Sequence, residues 1–177
     1  GVLKIDPLEA AAEPQQQLAV VILGANNGDD EFLRHPWFFK YTHDTQPQIV
    51  YDTCYDVKRH SHRSTFFLCT LQPGKYVLHR FHSYASNATT TYTLPIYGDS
   101  PLRFSVDTVG VVNYVGSLRT QSAEKNKFAL GPFDIKEIAV IQAILANYNR
   151  DSLKDKQPKP WVKAALEKRL AQLKAEK

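Results

Sequence analysis

Six histidines and two cysteines are the residues of this chain best suited to chemistry. His60-Ser61-His62 sets two imidazoles two residues apart, so on an extended strand both point to one side. Two histidines on one face make half of a site for zinc, copper or nickel. Asp52, Asp56, His79 or His82 would supply a third ligand, and the candidate set is His60, His62 and His79. His79 and His82 are three residues apart. On a regular strand they face opposite ways, and only one of them can join the site. The competing reading is a solvated loop, because Lys58-Arg59-His60-Ser61-His62-Arg63 is continuously polar and its Lys and Arg side chains oppose a bound cation.

Cys54 and Cys69 lie on two β-type runs, residues 51–57 and 65–71, joined by a polar stretch. If those runs are adjacent antiparallel strands, a disulfide closes a loop of about 15 residues, worth roughly 3 kcal/mol in lost unfolded-chain entropy. Such a pair suits an oxidising compartment. The alternative is two buried thiols, since free cysteine is among the most buried residue types. Register decides between them, because a slip of one residue turns one sulfur to the other face.

Other chemical signatures are missing from the sequence. It has no Gly-x-Ser-x-Gly elbow, no phosphate-binding glycine loop and no His-Glu-x-x-His. Asp29, Asp30 and Glu31 lack the spacing of a calcium loop and read as an acidic turn. Trp37, Phe38, Phe39 and Tyr41 form either a binding stripe or, in the ordinary case, aromatic core. No catalytic residue and no cofactor is expected on these grounds.

The elements that must position these residues are short and β-rich. Runs at residues 17–24, 37–41, 49–51, 65–71, 75–82, 89–94, 102–106 and 111–118 are separated by turn signals at Asn26-Asn27-Gly28-Asp29-Asp30, Pro73-Gly74, Gly98-Asp99-Ser100-Pro101 and Gly110. Many short strands with frequent turns predict an antiparallel β-sandwich. Pro73-Gly74 fits the two central positions of a type II turn. Residues 65–71 and 75–82 are therefore expected to form a hairpin around it. After Gly131-Pro132 the period changes. Asp134 as N-cap with Glu137 three residues on, then Ile138, Ile141, Leu145 and Tyr148, predicts a helix over residues 134–149 packed on the sheet. Past Gln157-Pro158-Lys159, Pro160 opens a second helix to residue 174, with Val162, Leu166, Leu170 and Leu173 as its apolar stripe.

The expected organisation is a linker with a short helical turn (1–15, capped by Asp6 and Pro7), a β-sandwich domain (16–132) and a helical extension (133–177). The fold class is mainly β. At 177 residues, 43% hydrophobic and 23% charged, the chain has ordinary globular composition. Its longest apolar run, residues 18–23, is strand-sized and far short of the roughly 20 residues a membrane helix needs. Residues 154–177 hold eight basic and three acidic side chains, so that segment carries +5 and residues 1–153 carry −1 of the net +4. Basicity confined to a terminal helix, with no reading element, argues against a nucleic-acid partner. Methionine is absent and the chain opens on Gly1, which reads as a processed or trimmed terminus.

Leu71-Gln72-Pro73-Gly74-Lys75-Tyr76-Val77-Leu78, a Leu-x-Pro-Gly-x-Tyr turn running into a strand, resembles prealbumin-like, or carboxypeptidase-regulatory-like, β-sandwiches. Phe104-Ser105-Val106 followed by Gly110-Val111-Val112-Asn113-Tyr114-Val115-Gly116-Ser117-Leu118 resembles the later strands of uncharacterised Gram-negative envelope lipoproteins. The likeness covers about residues 65 to 120 and lies in turns and core alternation. It implies an exported, periplasmic or outer-membrane-associated lipoprotein without catalytic residues, in which the lipidated cysteine would precede Gly1. The expected function is a non-enzymatic envelope module that binds a protein, glycan or lipid partner and touches the membrane only through an N-terminal anchor. A metal-binding protein or metal-dependent enzyme using His60 and His62 is the alternative. The order His-x-His, Pro-Gly, His also resembles metal-binding cupins. Ser64, Thr65, Phe66 and Phe67 stand where the cupin acid belongs, and the motif halves are too close, so no cupin chemistry is carried over.

Overall fold

Alternation along one strand shows how this sequence builds its layers. In β2 (Ala19–Asn26), Ala19, Val21 and Leu23 enter one buried cluster, and Val20 and Ile22 enter another on the opposite face. A strand apolar on both faces must be covered on both. A computed structural model describes residues 2–4, 18–26, 32–41, 48–51, 54–59, 64–85, 88–93, 102–122, 128–132, 135–148 and 160–176. The remaining strands are β1 (Val2–Lys4), β3 (Phe32–Tyr41), β4 (Gln48–Tyr51), β5 (Cys54–Arg59), β6 (Ser64–Leu71), β7 (Gly74–Ala85), β8 (Ala88–Thr93), β9 (Arg103–Val106), β10 (Val112–Ser122) and β11 (Phe128–Pro132). Helices α1 (Glu137–Ala146) and α2 (Pro160–Ala175) follow.

The strands form two sheets. The front sheet runs β1-β4-β3-β7-β8, with β9 also paired to β7; the back sheet runs β11-β10-β2-β6-β5. Most pairings are antiparallel, while β1 with β4 and β10 with β2 are parallel. Between the sheets lie Val21, Leu23, Phe67, Leu71 and Leu118 from the back, and Phe38, Tyr76, Leu78, Phe81 and Val106 from the front. Behind the back sheet, Val20, Ile22, Tyr55, Val57, Phe66 and Leu68 pack against Val140, Ile141 and Ile144 of α1 and Val162 and Leu166 of α2. The chain is thus a mainly β sandwich with C-terminal helices, stacked as helices, back sheet, front sheet.

The expected hairpin across Pro73-Gly74 does not form. β6 pairs with β2 and β5 in the back sheet, whereas β7 pairs with β3, β8 and β9 in the front sheet. The turn carries the chain from one sheet to the other, and Gly74, at φ 155°, is already the first residue of β7. Both flanking runs can then bury apolar side chains in the same core from opposite sides. Gly116, at φ 121°, sits where β10 shifts register against β2 between Tyr114 and Ser117, a bulge that glycine permits. There the Tyr114 phenol donates to Ile135 O at 2.5 Å and takes a hydrogen bond from the Ser117 hydroxyl, tying the sheet to the start of α1.

The first helix begins at Glu137. Its N-cap is Lys136, in extended conformation and without a side-chain cap, so the expected start at Asp134 is corrected; Asp134 itself lies outside the described residues. Its fully buried positions are Val140, Ile141 and Ile144, with Tyr148 just beyond, while Ile138 and Leu145 are half-buried. The helix is wedged between a sheet and α2, so its apolar face is broader than one stripe. Arg169 of α2 clamps it by donating twice to the Glu137 carboxylate, at 2.8 and 3.0 Å. The expected helical turn at residues 6–12, the turns at residues 27–30 and 98–101 and the connector at residues 157–159 also lie outside the described residues.

Candidate ligand-binding face

The two sheets differ in what covers them. The back sheet's outer face is filled by α1 and α2, whose packing partners are β2, β5, β6 and β10. Among the described residues no element packs on the outer face of the front sheet, and its side chains can be read from the register.

Phe38 points into the core, so its neighbours Trp37 and Phe39, and Tyr41 beyond, point outward from β3. All three are half-buried. Across the sheet, Tyr41 pairs with Lys75 and Lys75 with Ser105; Phe39 pairs with Val77 and Val77 with Arg103; Trp37 pairs with Arg80 and Arg80 with Thr93. These rows set a column of rings beside a column of cations. The Arg80 guanidinium lies 4.7 Å from the centre of the Trp37 ring, and that of Arg103 lies 5.8 Å from the Tyr41 ring. Arg103 also donates to the Tyr41 hydroxyl at 3.5 Å. Arg80 Nε is buried and has no hydrogen-bond partner among the described residues.

The histidines on β7 correct the expectation from regular alternation. Phe38 pairs with Leu78 and Trp37 with Arg80, so β7 carries one extra residue at His79. The bulge brings His79 and His82 to the same outer face. His79 meets the Phe39 ring edge-on at 4.4 Å, and His82 meets Trp37 at 6.0 Å while sharing a hydrogen bond with Thr91 at 3.2 Å. His60 and His62 lie outside the described residues. Among the described residues no three His, Cys, Asp or Glu side chains gather as a metal site.

A groove of about 370 Å³ opens at one end of this face, lined by Tyr41, Lys75, Tyr76, Arg103, Phe104 and Ser105. Lys75, Arg103 and Ser105 are exposed. Behind it the Tyr76 and Phe104 rings stack at 5.5 Å, and Phe38 meets Phe104 edge-on at 5.6 Å, which makes the wall rigid. The Tyr76 phenol donates to Gln72 O at 2.5 Å, and burial holds its pKa well above the usual phenol range. Lys40 donates to Gln72 Oε1 at 3.3 Å, and burial lowers its pKa. This arrangement offers flat rings, hydroxyls and cations, which are means of binding.

Cys54 and Cys69 stand opposite each other in the β5–β6 register and are joined, with S–S 2.00 Å and Cα–Cα 4.0 Å. That close Cα approach belongs to a non-hydrogen-bonded antiparallel pair. The bond pins edge strand β5 to the back sheet and faces the core between the two sheets.

Comparison with protein families, with curated proteins and with solved structures finds no match to this chain.

Proposed function

We propose that this protein is a non-enzymatic binding module of the cell envelope that holds a glycan on the outer face of its front sheet. The observation that carries the reading is the asymmetry of the sandwich. Helices cover one outer face, and on the other, where no element packs among the described residues, Trp37, Phe39 and Tyr41 stand in a row beside Arg80, Arg103, His79 and His82. Sugar rings stack on such aromatic faces, and a rigid sheet presents them at little entropic cost. The Cys54–Cys69 disulfide favours an oxidising compartment, in keeping with an exported protein. Among the described residues no helix is long and apolar enough to cross a membrane.

Affinity electrophoresis through gels containing neutral and acidic polysaccharides tests the reading. The protein should be retarded by at least one polysaccharide. Trp37→Ala should abolish the retardation, and Lys163→Ala, on the helical layer, should leave it unchanged. Equal retardation of both variants would place binding elsewhere.

A further inference from the structure

We infer that two copies of this chain join edge to edge through β8, which pairs antiparallel with itself across a two-fold axis, whatever ligand the front sheet holds. Register places β8 at the rim of that sheet. β3 takes one flank of β7, and β8 and β9 share the other. Among the described residues β8 pairs with β7 alone. Its far side therefore carries a row of backbone N–H and C=O groups with no strand beside it there, and such a row is a template for another strand.

The other rim strands each carry a device that discourages such pairing, and β8 carries none. β5 is charged at Asp56, Lys58 and Arg59, and β11 ends on Gly131 and Pro132. β1 is three residues long and includes Lys4, and β9 is four residues long and includes Arg103. Charge, proline and shortness are the usual protections of an edge. β8 reads Ala-Thr-Thr-Thr-Tyr-Thr over six residues, without a charge, a proline or a glycine, and its register with β7 runs unbroken. Thr and Tyr favour extended backbone. Thr91 and Thr93 are exposed.

A second copy matches this edge in chemistry and in charge. With the axis at Thr91, Thr91 of one copy lies opposite Thr91 of the other, and Thr89 opposite Thr93; Thr–Thr pairs across strands are favourable. No like charges meet within the joint, because the strand has none. His82 and Arg80 stand one strand back, in register with Thr91 and Thr93. In the joined sheet the two His82 positions are three strand spacings apart, roughly 14 Å, which exceeds the screening length of about 8 Å. The contact is isologous and closes at two copies. Its axis runs perpendicular to the sheet, so the two candidate binding faces lie on the same side of the dimer. One strand edge buries little surface, which makes this a weak dimer of micromolar affinity.

The test is sedimentation velocity of the full chain from low micromolar to near-millimolar concentration. A monomer–dimer equilibrium should appear, with no larger species. Thr91→Lys sets two ammonium groups facing each other across the axis and should weaken the dimer about tenfold or more, most strongly at low salt. Thr93→Lys should weaken it as well. Both sites are exposed, so the thermal midpoint of dilute protein should not change. Lys163→Ala, on the helical layer, should leave the dimer intact. A monomer at every concentration would overturn the inference. A dimer indifferent to both lysines, or growth into open-ended assemblies, would do the same, because each places the contact elsewhere. A monomer that instead takes up an extended threonine-rich peptide, and loses it on Thr91→Lys, would show a different occupant at this edge and overturn self-pairing.

Discussion

Trp37 and Arg80 face each other across β3 and β7, and the guanidinium carbon of Arg80 rests 4.7 Å from the centre of the indole ring. The contact exists because β7 bulges at His79, which turns Arg80 onto the same face as Trp37. A double-mutant cycle with Trp37→Ala and Arg80→Ala, followed by urea denaturation, should give a coupling of about 0.5–1 kcal/mol, as for a partly exposed cation–π pair. A coupling indistinguishable from zero would mean that the pair does not hold in solution.

The disulfide joins Cys69, fully buried, to half-buried Cys54 on the edge strand. Denatured, unreduced protein should take up no alkylating reagent by intact mass, and reduced protein should take up two groups. Replacing both cysteines by alanine should lower stability by about 3 kcal/mol, chiefly through freedom returned to the unfolded chain. Two alkyl groups on unreduced protein would remove the bond and the compartment assignment resting on it.

The helical layer is integral to the fold, because Ile141 is fully buried against the back sheet. Ile141→Ala should cost about 2–5 kcal/mol in urea denaturation, the loss of a core side chain plus the cavity left. Glu137→Gln, which weakens the Arg169 clamp, should raise amide exchange in α2 more than in the sheets. Unchanged exchange in α2 would show that packing of Val162 and Leu166 alone holds it.

Alkaline stability follows from buried phenols. Tyr148 is pushed up to about 12, first by burial and second by the charge of Glu167. The unfolded phenol ionises near pH 10, so the folded state keeps its proton longer. Stability is intact below about pH 10 and falls by up to about 1.4 kcal/mol per pH unit as pH rises towards the folded value. Tyr76, also raised by burial, acts in the same direction. Lys40, lowered by burial, acts oppositely below its unfolded value of 10.5. The urea midpoint of the wild type should therefore fall relative to that of Tyr148→Phe as pH rises above about 10. Parallel curves would show that the phenol is not sheltered.

Gly116 holds the β10 bulge at a backbone angle that other residues rarely adopt. Gly116→Val should destabilise by about 1–3 kcal/mol, the cost of forcing a β-branched residue to positive φ, as read from thermal unfolding. No loss would mean that the bulge can move elsewhere along the strand.

The strands and helices were largely legible in the sequence, because turn residues and period changes mark them. Pairing was not. The run Thr65 to Leu71 is buried throughout, since β6 faces the core on one side and the helices on the other, so alternation gives no face and no partner. Pro73-Gly74 marks a turn equally well for a hairpin and for a crossing between sheets. β11 was missed because its Gly131-Pro132 reads as a break, although proline is tolerated on an edge strand. The aromatic row is visible in the sequence, but nothing there sets Phe38 apart from its neighbours. Only the register separates it, facing the core, from Trp37, Phe39 and Tyr41. Regular alternation sets His79 and His82 on opposite faces, because the bulge adds a residue without leaving a sequence signal as plain as glycine.

The two tryptophans provide the most direct test of the glycan-binding face. Trp37 lies on it, and Trp161 packs in the helical layer on the opposite side of the back sheet. Their indole N–H signals can be followed separately by two-dimensional NMR as the protein is titrated with neutral and carboxylated oligosaccharides. The account predicts that a bound oligosaccharide shifts the Trp37 signal progressively and leaves Trp161 in place. Movement of Trp161 alone, or of neither signal across the whole set, would contradict it.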